Sequence, residues 1–176
     1  MALIPFVATV VISCFLFIGA QETNDCTDPR GRLAWKALQS SDKGHMLYTS
    51  FDASVIVCTY VTKNSEDSST MSVRGNFIYQ INDLPVVYND PITTKVENCE
   101  GLIAVYNETS GEKVSQSVIL YSNFETCTIF FNIEQQECQL WAHENTTEGV
   151  IQDCLSTYKT LCDGEIYEVY NATCLT

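Results

Sequence analysis

Apolar β-branched and aromatic residues recur in short runs from residue 45 to residue 144, each run closed by Gly, Asn, Asp or Ser. This is the pattern of consecutive β-strands separated by turns. Strands are expected at 45–51, 55–62, 71–80, 84–88, 92–98, 102–107, 114–122, 127–133 and 138–144, and the polar stretch 63–70 reads as a long loop between two of them. Two segments follow helical spacing instead. Residues 29–40 place Leu33, Trp35, Ala37 and Leu38 toward an apolar side, with Pro29 suited to a first helical turn. Residues 150–162 put Ile151, Cys154, Leu155, Tyr158, Leu161 and Cys162 on one stripe. Asp163-Gly164 ends that helix, since glycine accepts the left-handed cap conformation. A last extended piece, 166–170, leads to Cys174.

The order is thus one small helix, eight or so antiparallel strands, one helix and a tail. Strands do not alternate with helices, which argues against a parallel sheet. So many strands close most readily into an eight-stranded antiparallel barrel, which removes exposed edges and can hold one small ligand. The fold class is therefore mainly β, with the late helix packed outside the barrel. A β-sandwich is the rival.

The N-terminus changes the cellular picture. Residues 1–20 carry no charged side chain, and 6–18 are almost unbroken apolar sequence before Gly19 and Ala20. That is the form of a secretory signal cleaved after Ala20, and the apolar run is short for a membrane span. Residues 21–176 then make one domain. Cleavage would remove Cys14 and leave Cys26, Cys58, Cys99, Cys127, Cys138, Cys154, Cys162 and Cys174. An even number of cysteines in an exported chain reads as a disulfide framework, although spacing alone leaves 105 pairings open for eight. The sequons at Asn107, Asn145 and Asn171 agree with export. The formal charge of −13 should repel nucleic acid and anionic lipid. It accounts for solubility, and it would also draw in a cationic ligand.

Chemistry is absent from the motifs. No GxSxG, HExxH, Walker or dinucleotide fingerprint occurs, and the two histidines, His45 and His143, sit in no catalytic context. Neither an enzyme nor a bound cofactor or metal is expected.

The stretch 118–131 ends in Cys127-Thr128-Ile129-Phe130-Phe131 and is followed by Gln139-Leu140-Trp141, then Cys154 and Cys174. Together with Ala34-Trp35-Lys36-Ala37-Leu38, this resembles the salivary lipocalins of ticks, the group that includes the histamine-binding proteins. Their motif runs Cys-Asp-(Val/Ile/Leu), a spacer, Glu-Leu-(Trp/Tyr), a second spacer and Cys. The resemblance implies a barrel that sequesters host mediators such as histamine, serotonin or eicosanoids, and the secreted chain is expected to be a monomer. It also implies Cys127–Cys154 and Cys58–Cys174 bridges. For the other four cysteines, Cys138–Cys162 and Cys26–Cys99 are the suggested pairs.

Side chains along a strand alternate between faces. If Cys127 and Cys138 point out toward the late helix, then Thr128, Phe130 and Asn132, and Gln139, Trp141 and His143, point into the cavity. The resemblance places ligand-contacting acids at two of these positions and at a third on an earlier strand. Here Thr128, Gln139 and Thr94 stand there instead, keeping a hydrogen-bonding group and losing the charge. A buried ammonium needs a charged partner. Histamine binding is therefore expected to suffer unless Asp52, Glu97 or Glu125 points inward, whereas an eicosanoid would tolerate Thr and Gln. Tyr48 and Phe130 are candidates to stack on a ligand ring, Trp141 fits pocket or core, and Trp35 fits a plug at the closed end. Two other readings remain: an outer surface that binds a host protein such as a complement component, and a disulfide-rich β-sandwich adhesion module.

Overall fold

The computed structural model describes residues 28–52, 55–98, 100–144 and 146–175. Residues 1–20, Cys26, Cys99 and Asn145, and with them the suggested Cys26–Cys99 pair, lie outside the described residues.

A helix, α1 (Pro29–Gln39), opens the fold, and eight strands follow. They are β1 (Lys43–Thr49), β2 (Ile56–Asp67), β3 (Ser72–Ile81), β4 (Val87–Glu97), β5 (Leu102–Asn107), β6 (Lys113–Ser122), β7 (Cys127–Asn132) and β8 (Glu137–His143). A second helix, α2 (Glu148–Leu161), a two-residue strand, β9 (Tyr167–Glu168), and a 3-10 turn (Ala172–Leu175) end the chain. Each of the eight strands pairs antiparallel with the next. β1 pairs with both β8 and β2, so the sheet closes into an eight-stranded barrel.

Two expectations about the strands are corrected. The stretch 63–70 is not a loop: β2 continues to Asp67, because its polar residues pair with β3 as far as Asp67 opposite Ser72. The runs 84–88 and 92–98 are not two strands but the single β4. Pro91 lies inside it, where a missing N–H would break a central ladder. However, β5 begins pairing only at Ile92, so residues 87–91 have β3 as their only strand partner. Proline is tolerated on such an edge.

α1 closes one end of the barrel. Asp28 caps it by accepting from the Arg30 N–H at 2.8 Å. Ala34 packs against Met71, Val96 and Ile103, flanked by Trp35, Leu38, Ile119 and Phe130. The turns at this end fit tightly around it. Gly101 (φ 82°) has its Cα so near the Arg30 carbonyl that a Cβ would stand 2.9 Å from the oxygen. The loops 82–86, 108–112 and 133–136, with residues 50–52 and 55, rim the opposite, open end.

α2 lies against the outside of β7 and β8. Cys127, Ile129, Cys138 and Leu140 form a buried layer with Cys154, Tyr158 and Cys162 of the helix segment. Cys127–Cys154 and Cys138–Cys162 bridge the two layers, and Cys58–Cys174 ties the tail to β2. Tyr158 is fully buried, its hydroxyl donates to the Cys138 carbonyl at 3.1 Å, and burial pushes the phenol up to about 12.

Candidate functional site: the barrel interior

Directly paired residues on antiparallel strands point to the same side of the sheet. Ile129 pairs with Leu140 under α2, so the alternate pairs face the interior: Thr128 with Trp141, and Phe130 with Gln139. The inward side of β8 therefore reads Glu137, Gln139, Trp141 and His143, from the open end to the closed end. Phe130, Gln139 and Trp141 keep partial solvent exposure, whereas Ile129 and Leu140 keep none. The tight core of this wall is on its outside, and the middle of its inner side is left partly accessible.

A hydrogen-bonded chain runs along that inner side. The Trp141 indole N–H donates to Gln139 Oε1 at 3.0 Å, and Gln139 Nε2 donates to Glu137 Oε1 at 2.7 Å. Thr49 Oγ1 donates to the other carboxylate oxygen at 3.4 Å. Indole can only donate and an ionised carboxylate can only accept, so the orientation of the Gln139 amide between them is fixed. Glu137 is only 6% exposed. It places a carboxylate on the interior face two residues from Gln139, about 7 Å along the strand.

The other candidates fall as follows. Thr128 is buried near the closed end, its hydroxyl 2.9 Å from that of Ser122. Phe130 packs toward the α1 plug. Thr94 shares the inward face of β4 with Val96 and pairs with Val105, on another wall. Tyr48 is not in the interior. An irregularity between Met46 and Tyr48 shifts the alternation of β1, so Tyr48 pairs with Leu140 and packs against the layer under α2. Burial raises its phenol pKa, with a further contribution from Glu168. His143 is buried at the closed end, its Nε2 3.4 Å from Ser40 Oγ, and burial lowers its pKa.

None of the three acids offered as substitutes enters the interior. Asp52 and Glu125 are exposed. Glu97 lies on the outer face with Tyr106, Lys113 at 2.7 Å and Gln116 at 3.0 Å. Burial raises the Glu97 pKa, and the hydrogen bonds from Lys113 and Tyr106 outweigh it and hold the group below its usual value. Glu137 and, on the β3–β4 side, Asp90 place acids on the interior face. Asp90 pairs with Phe77, and Tyr88 with Tyr79, on the inward face that also carries Ile92 and Thr94. The Tyr79 and Tyr88 rings stack with centroids 5.1 Å apart. Burial raises the Tyr79 phenol pKa, and Asp90 adds to it through its charge and a hydrogen bond. β4 is four strands from β8 around the barrel, so this aromatic wall faces the Glu137–Trp141 wall.

Outside the calyx, the Asn107 side chain accepts from the Thr109 and Ser110 N–H groups at the end of β5. Asn171 is exposed and accepts from the N–H and hydroxyl of Thr173. Among the described residues, no His, Cys, Asp and Glu cluster could hold a metal ion, and no helix is long and apolar enough to cross a membrane.

Solved structures share this architecture. The serotonin complex of AM182 superposes with a TM-score of 0.53 at 13% identity, covering 80% of this chain and 91% of that one. The siderocalin Ex-FABP gives 0.51 at 8% identity, covering 75% and 94%. The cockroach allergen Per a 4 gives 0.51 at 10% identity, covering 77% and 88%. At such identities the likeness establishes the lipocalin-type barrel. No curated protein sequence matches the chain. The family model described as tick histamine binding protein matches residues 27–176, a span that includes all the described residues, and the protein belongs to that family of small-ligand-binding lipocalins.

Proposed function

We propose that the protein is an extracellular carrier that takes up a small aromatic amine in its calyx and performs no chemistry on it. The Glu137–Gln139–Trp141 chain carries this reading. It supplies a carboxylate for an ammonium group, a fixed amide and an aromatic surface on one wall. Tyr79, Tyr88 and Asp90 supply a second acid and stacking surfaces opposite. In this reading the charge lost at Thr128, Gln139 and Thr94 is regained at Glu137, displaced along β8 toward the mouth. An ammonium near a ring face and a desolvated carboxylate is held by both. The serotonin bound to AM182 is a ligand of that class, and the charge of −13 favours a cation.

Export through cleavage after Ala20, glycans on Asn107, Asn145 and Asn171, and action as a monomer on host mediators at a feeding site belong to the same reading. A second reading, a lipid mediator or a host protein at the mouth, is favoured by the open rim. Phe51 is 57% exposed, Val55 58%, Leu84 48% and Val87 57%.

The deciding experiment is calorimetric titration of the mature, oxidised protein with serotonin and with histamine, repeated on Glu137→Gln. Saturable binding that falls at least tenfold in the variant is the expected result. Equal binding by both proteins would remove Glu137 from the site. No heat with either amine, together with uptake of arachidonate, would favour the lipid reading.

A further inference from the structure

The barrel wall has a seam between β1 and β2. β1 and β2 pair only over Lys43–His45, opposite Tyr60–Thr62. Toward the open end both strands carry an irregularity. β1 shifts register between Met46 and Tyr48, and β2 between Val57 and Tyr60, where Cys58 adopts φ 54° in the left-handed region. Such irregularities end pairing and turn the strand, so here the two strands part.

The tail fills the gap. β9 pairs with β1 at Tyr48 and Thr49. The Val169 N–H donates to the Leu47 carbonyl at 2.9 Å, while the Val169 carbonyl accepts from the Cys58 N–H at 2.7 Å. One residue therefore joins both sides of the seam through its backbone, and Val169 is 1% exposed. Outside it, Tyr170 stacks on His45 at 4.3 Å between ring centroids. Beyond it, Cys174 is bridged to Cys58, the residue at the edge of the gap. Few backbone bonds hold this segment, and it is fastened at its far end by a single cross-link.

We propose that residues 167–174 are an opening stave of the calyx wall, a side entrance between β1 and β2 held shut by the Cys58–Cys174 bridge. Lifting the stave breaks the two Val169 bonds and the short β9 ladder. It leaves the α2 layer, with its own two bridges, intact. Short, end-fastened elements open locally at lower free energy than the core ladders around them. The opening does not depend on what the calyx binds, and only its effect on ligand release rests on the carrier reading.

Amide hydrogen exchange on the mature, oxidised, full-length chain tests it. In the wild type, the Cys58 and Val169 amides should exchange together and at least tenfold faster than those of Ile129 and Leu140. In the double variant Cys58→Ala/Cys174→Ala the amides at positions 58 and 169, corrected for the intrinsic rate at the substituted residue, should exchange at least a further tenfold faster, with Ile129 and Leu140 unchanged. Exchange of all four amides at one rate in the wild type overturns the proposal, and that comparison needs no variant to fold. No acceleration of the amides at positions 58 and 169 in a folded double variant, after correction for the intrinsic rate at the substituted residue, overturns the role of the bridge. Stopped-flow release of the neutral fluorescent probe N-phenyl-1-naphthylamine should be at least tenfold faster from the variant. An unchanged release rate beside accelerated exchange would rule out the seam as the ligand's route.

Discussion

The two faces of the β7–β8 wall are built from the same twelve or so residues and do opposite things. The outer face presents Cys127, Ile129, Cys138 and Leu140, all buried under α2 and cross-linked to it twice. The inner face presents Thr128, Phe130, Gln139 and Trp141, mostly polar or aromatic, and Phe130, Gln139 and Trp141 at its middle keep partial exposure. In most globular domains the core is where the strands face each other. Here α2 supplies a second apolar layer outside the barrel, so stability does not require the interior to be filled. A binding calyx and a firm fold are compatible because alternate residues of one strand serve them separately.

That separation can be broken from either side. The largest effect is expected from the outer layer. Leu140→Ala should cost about 2–5 kcal/mol of unfolding free energy, read in a urea titration, and leave amine affinity within about twofold in the protein that remains folded. Removing the Cys127–Cys154 bridge with a Cys→Ala pair should cost about 3–4 kcal/mol, on the chain-entropy account for a loop of this length. A large loss of affinity in either variant, with the fold intact, would mean that the two faces are coupled.

Substitutions on the inner face should show the converse. Glu137→Gln should leave the urea midpoint little changed relative to Leu140→Ala while weakening serotonin binding. Trp141→Phe removes the donor to Gln139, worth about 1 kcal/mol, and should weaken binding by several-fold through a freed amide. Tyr48→Phe, on the outside of the wall, should leave affinity unchanged, and a measured loss would put Tyr48 back in the calyx.

A smaller, pH-dependent effect concerns the two histidines. Burial lowers the pKa of His45, with Lys43 adding to it and Glu144 opposing, and burial lowers that of His143. The folded state therefore favours the neutral rings. Their contribution is fully present above the unfolded pKa of about 6.5 and is lost as pH falls from there toward the folded values. The urea midpoint should drop between pH 7.5 and pH 5. His45→Phe, which keeps a ring against Tyr170, should flatten that drop, and an unchanged slope would assign it to other groups.

Much of this architecture is legible in the chain. The two helices, the run of strands and the inward side of β7 and β8 follow from apolar spacing and alternation. The departures have local causes. Pro91 reads as a break, yet it falls where β4 has one strand partner. Lys63–Asp67 is too polar to read as strand, yet its backbone completes the ladder with β3. Tyr48 fits the inward side by alternation until the shift after Met46 turns it out. Glu137 was within reach of the same alternation that places Gln139 and Trp141, but starting the strand at Cys138 leaves it out by one residue.

By itself, the sequence determined the periodic features, because periodicity is a property of neighbouring residues: helix here, strand there, this side chain opposite to the next. It also supplied the motif that marks the family. Which acids enter the calyx, which aromatics face each other across it, and how the tail closes the wall between β1 and β2 are settled by the folded barrel. Those outcomes depend on register, on irregularities of a single residue and on closure of the barrel, and each joins residues far apart in the chain.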